Sequence, residues 1–244
     1  MTGLPPPDDA AARVAANLDR IREQVAAACQ QAGRDPAEVT LIGVTKYVAA
    51  ETTRLVHAAG CRDLAESRPQ ALWAKAAALA DLGSPVRWHL IGHLQRNKIR
   101  RTLAVDPLIH SLDSLRLLEA LAAEAAAAGR ACTALVEVNL SGDPDRTGAT
   151  EAEAEAIVTA AAGLPQVTLR GLMGMAGVPD GDPGAARRAF ARLRELRDRF
   201  TGELPGGERL RELSMGMSGD FAAAILEGAT MIRVGSALFD GLDA

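Results

Sequence analysis

Lys46 is the residue with the clearest capacity for covalent chemistry. It ends the stretch TLIGVTK, in which Ile42, Val44 and Lys46 alternate at period two and therefore point to one face of a predicted strand. If that face is the protein interior, burial lowers the pKa of the amine and leaves a nucleophile that condenses with carbonyl compounds. The alternative is a lysine that reaches water just past a strand end and has no chemical role.

Two turns near the C-terminus, which contain glycine and serine, have the composition of an anion site. The first, LSMGMSGD, offers Ser214, Gly216 and Ser218, and the second, within IRVGSALFDG, offers Gly235 and Ser236. Backbone amides at such turns, together with serine hydroxyls, favour a phosphate group. Each turn by itself is also consistent with an ordinary loop that caps a helix.

A nucleophilic lysine and a phosphate site together indicate a phosphorylated aldehyde, and pyridoxal 5'-phosphate is the candidate cofactor. Arg233 supports this interpretation, because a guanidinium beside the pyridine nitrogen keeps that nitrogen unprotonated and weakens the ring as an electron sink. Two other roles stay open for Arg233: pairing with a carboxylate inside the protein, or binding the phosphate.

The elements that must position these residues follow an alternating pattern. From residue 40 onward, short β-like runs alternate with alanine-rich segments, as in parallel βαβ units. The predicted strands are 40–46, 62–65, 87–91, 108–111, 134–140, 167–172, 211–214 and 231–234. The predicted helices are 8–33, 50–59, 68–81, 94–104, 113–128, 150–162, 184–203 and 218–228, and a short helix over SALFDG follows the last strand. Eight such units with an extra N-terminal helix predict a single (β/α)8 TIM barrel of the α/β class. An open doubly wound sheet is the alternative, although no GxGxxG motif follows the first strand.

Composition limits the class of protein. Residues 8–244 are predicted to form one domain, behind a disordered, proline-rich tail at 1–7. The net charge is −4 and the basic residues are scattered, which argues against a nucleic-acid partner.

The three cysteines, Cys29, Cys61 and Cys132, are odd in number and far apart, so neither a disulfide framework nor a zinc cluster is indicated. A reducing cytoplasm is expected, and no export signal or membrane span is predicted.

The C-terminal ends of barrel strands line a common mouth, where further contacts with a cofactor are expected. The candidates at or beside these ends, in addition to those above, are Ser67, His89, Asn139 and Met173. His89 adjoins Trp88 in an apolar strand, where a histidine is more often a hydrogen-bonded core residue, and His93 lies nearer the mouth. The methionines of GLMGM are equally consistent with barrel packing.

Five motifs in order resemble those of a known family. They are IGVTKY, WHLIGHLQRNK, VEVNLSGDPDRTG, LRGLMGMAG and LSMGMSGDFAAAILEGATMIRVGSALFDG, and the resemblance to the pyridoxal phosphate homeostasis proteins, or proline synthase co-transcribed proteins, runs from about residue 8 to residue 241. It implies a barrel of the alanine racemase N-terminal type. It further implies that Lys46 forms a Schiff base with pyridoxal 5'-phosphate and that Arg233 faces the pyridine nitrogen. Ser214, Gly235 and Ser236 would hold the phosphate.

One position departs from the family pattern. The chain has LAESRPQA where the family usually has a motif like FGENRVQE, so Ser67 replaces an asparagine expected near the cofactor ring. Because serine is shorter and offers one hydroxyl, a direct bond to the ring hydroxyl is expected to become water-mediated or to be lost.

The resemblance implies a cofactor carrier rather than an enzyme. Family members are regarded as binding and distributing pyridoxal 5'-phosphate in vitamin B6 homeostasis, with apo-enzymes as possible recipients. Racemization needs a second acid or base across the ring, which related racemases take from a separate C-terminal domain. Tyr47, the one tyrosine, adjoins Lys46, and adjacent strand residues point to opposite faces.

Two alternatives to the carrier stay open. The first is a weak or specialised amino-acid enzyme in which a cysteine, a histidine or Asn139 supplies the second proton site. The second is a barrel that binds another phosphorylated metabolite without a covalent bond. A monomer is expected, because the resemblance does not extend to the domain through which the racemases form dimers.

Overall fold

Eight parallel strands close into a barrel in the structure, a computed structural model that describes residues 7–143, 145–177 and 184–242. Each strand pairs with its neighbour in chain order, and the last pairs with the first. The strands are β1 (Thr40–Val44), β2 (Asp63–Glu66), β3 (Arg87–Leu90), β4 (Leu108–Leu112), β5 (Cys132–Val138), β6 (Val167–Gly174), β7 (Glu212–Met217) and β8 (Met231–Val234). The predicted (β/α)8 barrel is confirmed, and the open-sheet alternative is wrong.

Helices surround this barrel. They are α1 (Pro7–Ala32), α2 (Ala50–Ala58), α3 (Pro69–Ala78), α4 (Ile99–Leu103), α5 (Leu115–Ala127), α6 (Glu151–Ala161), α7 (Ala185–Glu203) and α8 (Phe221–Leu226). A short 3-10 turn, Ser236–Leu238, follows β8, and α1 packs beside α2 and α8 in the ring position that a helix after β8 would take. The side-chain amide of Asn17 on α1 donates to the carbonyl oxygens of Leu238 and Asp240 at 3.1 and 2.9 Å, which fixes this position.

Apolar side chains pack in two layers. The outer layer, between barrel and helices, includes Val14, Leu64 and Phe190. The interior layer consists of Ile42, Val44, Ala65, Leu108, Leu135, Met173 and Met231, so the inward direction predicted for the first two is correct. Polar side chains also fill the interior, where one hydrogen bond between His110 on β4 and Ser214 on β7 crosses the barrel. This polar interior differs from the branched apolar filling that is common in such barrels.

Strand ends differ from prediction where side chains or glycine interrupt the sheet. β1 ends at Val44 because the Thr45 hydroxyl donates to the Glu66 carboxylate at 2.6 Å and the chain then turns. β7 extends to Met217, and its pairing with β8 shifts register after Ser214. Gly216 lies in this shift at φ +91°, where a Cβ would come within 2.6 Å of the Ala224 Cβ.

The N-terminus and one predicted helix also need correction. The predicted tail at 1–7 lies outside the described residues except for Pro7, with which α1 begins. The predicted helix 94–104 is divided into a 3-10 turn, Arg96–Lys98, and α4. None of the described helices is long and apolar enough to cross a membrane.

Candidate cofactor-binding site

A pocket of about 640 Å³ opens at the C-terminal ends of the strands. Its volume lies within the range of about 300–1,000 Å³ that small-molecule sites occupy. Seven of the eleven predicted site residues line it, namely Lys46, Ser67, Met173, Ser218, Arg233, Gly235 and Ser236. The wall is completed mainly by apolar side chains, among them Val44, Ile91, Met175, Met217, Phe239 and Leu242.

Lys46 lies at the mouth, beyond the barrel interior. Because β1 ends at Val44, Lys46 belongs to the following turn and its side chain is exposed. The expectation of a buried amine is therefore wrong. The amine nevertheless lines the pocket, and its Nζ atom lies 4.8 Å from the centre of the Tyr47 ring. An accessible amine at a pocket mouth can still meet a carbonyl compound there.

Tyr47 shares the pocket with Lys46. The prediction placed the two side chains on opposite faces of a strand, but both residues follow the strand end, where that alternation no longer holds. Tyr47 is 84% exposed. The strand-geometry argument against a role for Tyr47 is therefore wrong.

A buried ion pair anchors the backbone on either side of the mouth. The Lys75 Nζ on α3 donates to the Glu66 carboxylate at 2.5 Å and to the Thr45 carbonyl oxygen at 2.7 Å. The residues that follow, Lys46 and Ser67, both line the pocket. We name Thr45, Glu66 and Lys75 the lysine clamp, because it holds the ends of β1 and β2 against α3.

The loops after β7 and β8 meet at one hydroxyl. The Ser218 Oγ accepts the backbone N–H groups of Gly235 and Ala237 at donor–acceptor distances of 3.3 and 3.5 Å. Ser236 lies exposed between the two amides. We call this group of hydroxyls and amides the β7–β8 cradle. Its N–H donors and two serine hydroxyls suit an anionic group.

Arg233 forms the buried end of the pocket. Its Nη1 atom donates to the carbonyl oxygen and the Oγ of Ser214, each at 2.7 Å, and its Nη2 atom donates to the Gly174 carbonyl oxygen at 3.1 Å. Burial lowers the pKa of the guanidinium to about 10, against the opposing effect of the Glu137 and Asp220 carboxylates. The side chain therefore stays charged at neutral pH. These described partners are oxygens of a hydroxyl and two carbonyls, rather than a carboxylate.

Ser214 and Gly216 lie away from the pocket wall. Ser214 is completely buried inside the barrel, where it binds Arg233 and His110, so its hydroxyl belongs to the interior rather than to the turn. Gly216 lies within β7, where it allows the register shift. Both were assigned to a turn because β7 was predicted to end three residues too early.

The histidine and asparagine candidates also have other partners. His89 is buried between His110 and Asp63, and His93 is exposed, with its Nδ1 atom 3.7 Å from an Asp113 Oδ2 atom. The Asn139 side chain donates to the carbonyl oxygens of Asp143 and Arg146 and accepts from Ser141. Asn139 therefore ties the loop after β5 to itself instead of facing the pocket.

The sequence prediction missed Asp63 and His110. Each alternates with an apolar inward residue, Ala65 on β2 and Leu108 on β4, and that alternation was the available signal. Burial lowers the pKa of the His110 imidazole well below its ordinary value. The described residues contain no group of three or more histidine, cysteine, aspartate or glutamate side chains arranged to hold a metal ion.

Comparison with known proteins decides the family. Residues 16–243 match the family described as alanine racemase, N-terminal domain. A protein of Pseudomonas aeruginosa named pyridoxal phosphate homeostasis protein is 40% identical over 230 residues, which cover 94% of this chain and 96% of that protein. This chain belongs to the pyridoxal phosphate homeostasis protein family. The resemblance read from the five motifs is confirmed.

A second curated relative agrees in length, and a solved structure agrees in length and fold. A pyridoxal phosphate homeostasis protein of Aquifex aeolicus is 36% identical, over 91% of this chain and 95% of that protein. PipY of Synechococcus elongatus, whose structure was determined with PLP bound, is 37% identical and superposes with a TM-score of 0.80 over 93% of this chain and 99% of that chain. The barrel described above is therefore the family's fold, of the alanine racemase N-terminal type.

Proposed function

We propose that this protein binds pyridoxal 5'-phosphate at the mouth of its barrel, holds it through Lys46, and takes part in intracellular vitamin B6 homeostasis as a carrier. The observation that carries the proposal is the convergence of an amine, an amide-rich cradle and a buried guanidinium on one pocket. The PLP bound by PipY, a family member at 37% identity, supports the same ligand for this chain.

The residues of the pocket suit three parts of this ligand. Bound pyridoxal 5'-phosphate supplies an aldehyde that an amine can hold as a Schiff base, and a pyridine ring that can act as an electron sink. The Lys46 amine would hold the aldehyde carbon, and the β7–β8 cradle would bind the phosphate. Arg233 would donate to the pyridine nitrogen and disfavour its protonation, because a second positive charge beside the guanidinium is costly.

The surroundings of the pocket favour a carrier over an enzyme. The alternative required a cysteine, a histidine or Asn139 as a second proton site, and none of the pocket's described lining residues is one of these. Tyr47 also lines the pocket, but its side chain is 84% exposed and its hydroxyl has no hydrogen-bond partner among the described residues. A general acid or base must be held within hydrogen-bond reach of its proton.

Absorption spectra test the covalent part of the proposal. We expect purified protein with added pyridoxal 5'-phosphate to show a visible band that is lost in Lys46→Ala and retained in Lys98→Ala, the matched control on a lysine outside the pocket. Borohydride should fix the ligand to Lys46 alone. Binding without reductive trapping would instead favour the non-covalent phosphorylated metabolite, and a band that survives in Lys46→Ala would contradict the role of this lysine.

Measurements of cofactor transfer to an apo-enzyme and of amino-acid turnover distinguish a carrier from a weak enzyme. Loaded protein should restore activity to a pyridoxal-phosphate-dependent apo-enzyme, whereas Lys46→Ala should not. Deuterium incorporation at the α-carbon of amino acids in heavy water, abolished by Tyr47→Phe, would instead establish the enzyme. The apo-enzyme partners, the monomeric state and the cytoplasmic location all belong to this proposal.

A further inference from the structure

A continuous row of buried polar side chains crosses the barrel interior beneath the pocket. From the N-terminal ends of the strands it begins at Asp63 on β2, whose Oδ1 atom lies 3.1 Å from the His89 Nε2 on β3. The His89 Nδ1 lies 2.9 Å from the His110 Nε2 on β4, and the His110 Nδ1 lies 2.9 Å from the Ser214 Oγ on β7. Arg233 on β8 completes the row. We call these five residues the barrel relay.

The chemistry of each group fixes the direction of the hydrogen bonds. Arg233 can only donate, so the Ser214 Oγ accepts from it and can donate its own proton to the His110 Nδ1. The His110 Nε2–H then donates to the His89 Nδ1, and the His89 Nε2–H donates to the Asp63 carboxylate. In this order both imidazoles are neutral and protonated on Nε2, and every polar atom on the path has a partner.

The reverse order leaves a donor unsatisfied. If His89 were a cation, its Nδ1–H would donate to His110, whose proton would then lie on Nδ1 and point at the Ser214 Oγ. The Ser214 Oγ would then accept hydrogen bonds from both His110 and Arg233. Its own hydroxyl proton would have no acceptor on the path. A buried donor without an acceptor is unfavourable, because it has lost its hydrogen bonds to water and gained none in return. The lowered pKa of His110 agrees with a neutral imidazole at this position, which both orders contain, so the choice between them rests on the hydrogen bonds of Ser214.

The ends of the relay carry opposite charges. Asp63 is held by Arg87, whose Nε lies 2.8 Å from the Asp63 Oδ1 and whose side chain is largely exposed at the N-terminal ends of the strands. Arg233 lies at the opposite end, against the pocket. The neutral histidines thus orient their dipoles between an anion and a cation, and the guanidinium is supported without a carboxylate among its hydrogen-bond partners.

We propose that His89, His110 and Ser214 are positioning residues that fix the Arg233 guanidinium for the pyridine nitrogen of the bound cofactor, through neutral imidazoles protonated on Nε2. The part of this inference that concerns the cofactor rests on the proposed function. The relay keeps Nη1 occupied from inside the barrel, so that the guanidinium meets the ring in one orientation. A single orientation matters because a planar guanidinium donates along fixed directions.

Histidine nitrogen NMR on the protein without added ligand tests the order of the protons. The sequence has four histidines, so His57 and His93 serve as internal references. We expect His89 and His110 to be neutral and protonated on Nε2 at neutral pH, and Ser214→Ala to shift the Nδ1 resonance of His110 while His57 and His93 keep theirs. A charged His89, or a His110 protonated on Nδ1, would overturn the proposal.

A matched pair of variants tests the link to the cofactor. Gln at position 110 keeps one donor and one acceptor, whereas Leu removes both. We expect His110→Leu to weaken pyridoxal 5'-phosphate binding by about tenfold, as for one lost hydrogen bond to a charged group, and to shift the absorption band of the bound ligand. His110→Gln should restore most of the affinity and the band position.

The outcomes separate the two proposals. Circular dichroism confirms that each variant is folded, and Ser214→Ala provides a smaller change that should weaken binding in the same direction. Wild-type affinity and an unshifted band in both His110→Leu and Ser214→Ala would overturn the positioning role. If the wild-type protein does not bind pyridoxal 5'-phosphate at all, the proposed function fails, whereas the tautomers measured without ligand still decide the order of the relay.

Discussion

Asp63 holds a full negative charge at a site that is 6% exposed. Burial raises the pKa of its carboxyl, but the hydrogen bonds that Arg87 and His89 donate, together with the charge of Arg87, outweigh burial and lower the pKa to about 2. A carboxyl whose pKa is lower in the folded than in the unfolded protein adds stability above its unfolded pKa of about 4. This contribution is lost as the pH falls from about 4 towards the folded pKa.

Asp63→Asn is therefore expected to lower the free energy of unfolding by about 2 kcal/mol near neutral pH and to flatten its acid dependence between about pH 4 and pH 2. Urea unfolding at a series of pH values measures both effects. Asp81→Asn is the control, because Asp81 pairs with Arg54 on the surface and exposed pairs contribute little. Equal pH profiles for wild type and Asp63→Asn would contradict the prediction.

The predictability of the site differs from residue to residue. Lys46, Gly235 and Ser236 could be predicted because each lies within two residues of a strand end, and residues at strand ends converge in a barrel. Ser214 was misplaced because glycine and serine look like turn residues, although β7 continues through them. Alternation with Leu108 indicates that His110 points inward, but its partners His89 and Ser214 lie on other strands and are not revealed by any local pattern.

The ends of β1 and β2 are joined to α3 by the lysine clamp. Lys75 is buried, and its amine has both the Glu66 carboxylate and the Thr45 carbonyl oxygen as acceptors. Within the described residues, the second carboxylate oxygen of Glu66 is buried without a hydrogen-bond partner. The negative charge of Glu66 is therefore stabilised by the hydrogen bonds that the Lys75 amine and the Thr45 hydroxyl donate.

Lys75→Met is expected to destabilise the protein by about 3–5 kcal/mol, because it leaves a buried carboxylate without its counter-ion. The double variant Lys75→Met with Glu66→Leu should recover a large part of this loss, since it removes the charge as well. Urea unfolding of the four proteins in the cycle gives the coupling. Additive losses in the double variant would show that the two side chains do not depend on each other.

Gly92 controls how closely β3 approaches the turn after β2. A Cβ at this position would lie 2.2 Å from the Ser67 carbonyl oxygen, so the backbone that carries Ser67 would have to move. Gly92→Ala is expected to cost about 1–3 kcal/mol of stability and to weaken ligand binding at the pocket. Gly83→Ala is the control, because a Cβ there meets nothing within 4 Å. Unfolding and binding titrations of both variants check the difference.

Element types were more predictable than element ends. Short β-like runs between alanine-rich segments identified all eight strands, because each strand of a (β/α)8 barrel is separated from the next by a helix. The ends depend on tertiary hydrogen bonds, such as the one from the Thr45 hydroxyl to Glu66. β5 likewise ends two residues before the predicted end, where the Asn139 side chain binds the following loop.

The molecule as a whole closes its helical ring with its first helix. α1 occupies the position next to α8 and α2, and Asn17 links it to the segment after β8 that contributes Phe239 and Leu242 to the pocket wall. The beginning and the end of the described chain therefore stabilise each other. That residues 8–244 fold as one domain stays a prediction, which this contact favours.

Calorimetry should show one unfolding transition for the whole protein, and Asn17→Ala should lower its free energy of unfolding by about 1–3 kcal/mol, because two backbone carbonyl groups lose their donor. Asn97→Ala, at an exposed residue, is the control. A separate transition for α1 would contradict the single domain. An Asn17→Ala variant as stable as wild type would show that the link is dispensable.

The Ser218 hydroxyl already accepts hydrogen bonds from two backbone amides of the β7–β8 cradle. A phosphate that takes these amides exchanges one acceptor for another, so the gain in binding is the difference between two sets of hydrogen bonds. When the phosphate leaves, the two amides can again donate to the Ser218 hydroxyl, which lies beside them. For the carrier proposed above, the Ser218 hydroxyl would thus compete with the phosphate of the ligand, which would limit affinity and favour release of the cofactor.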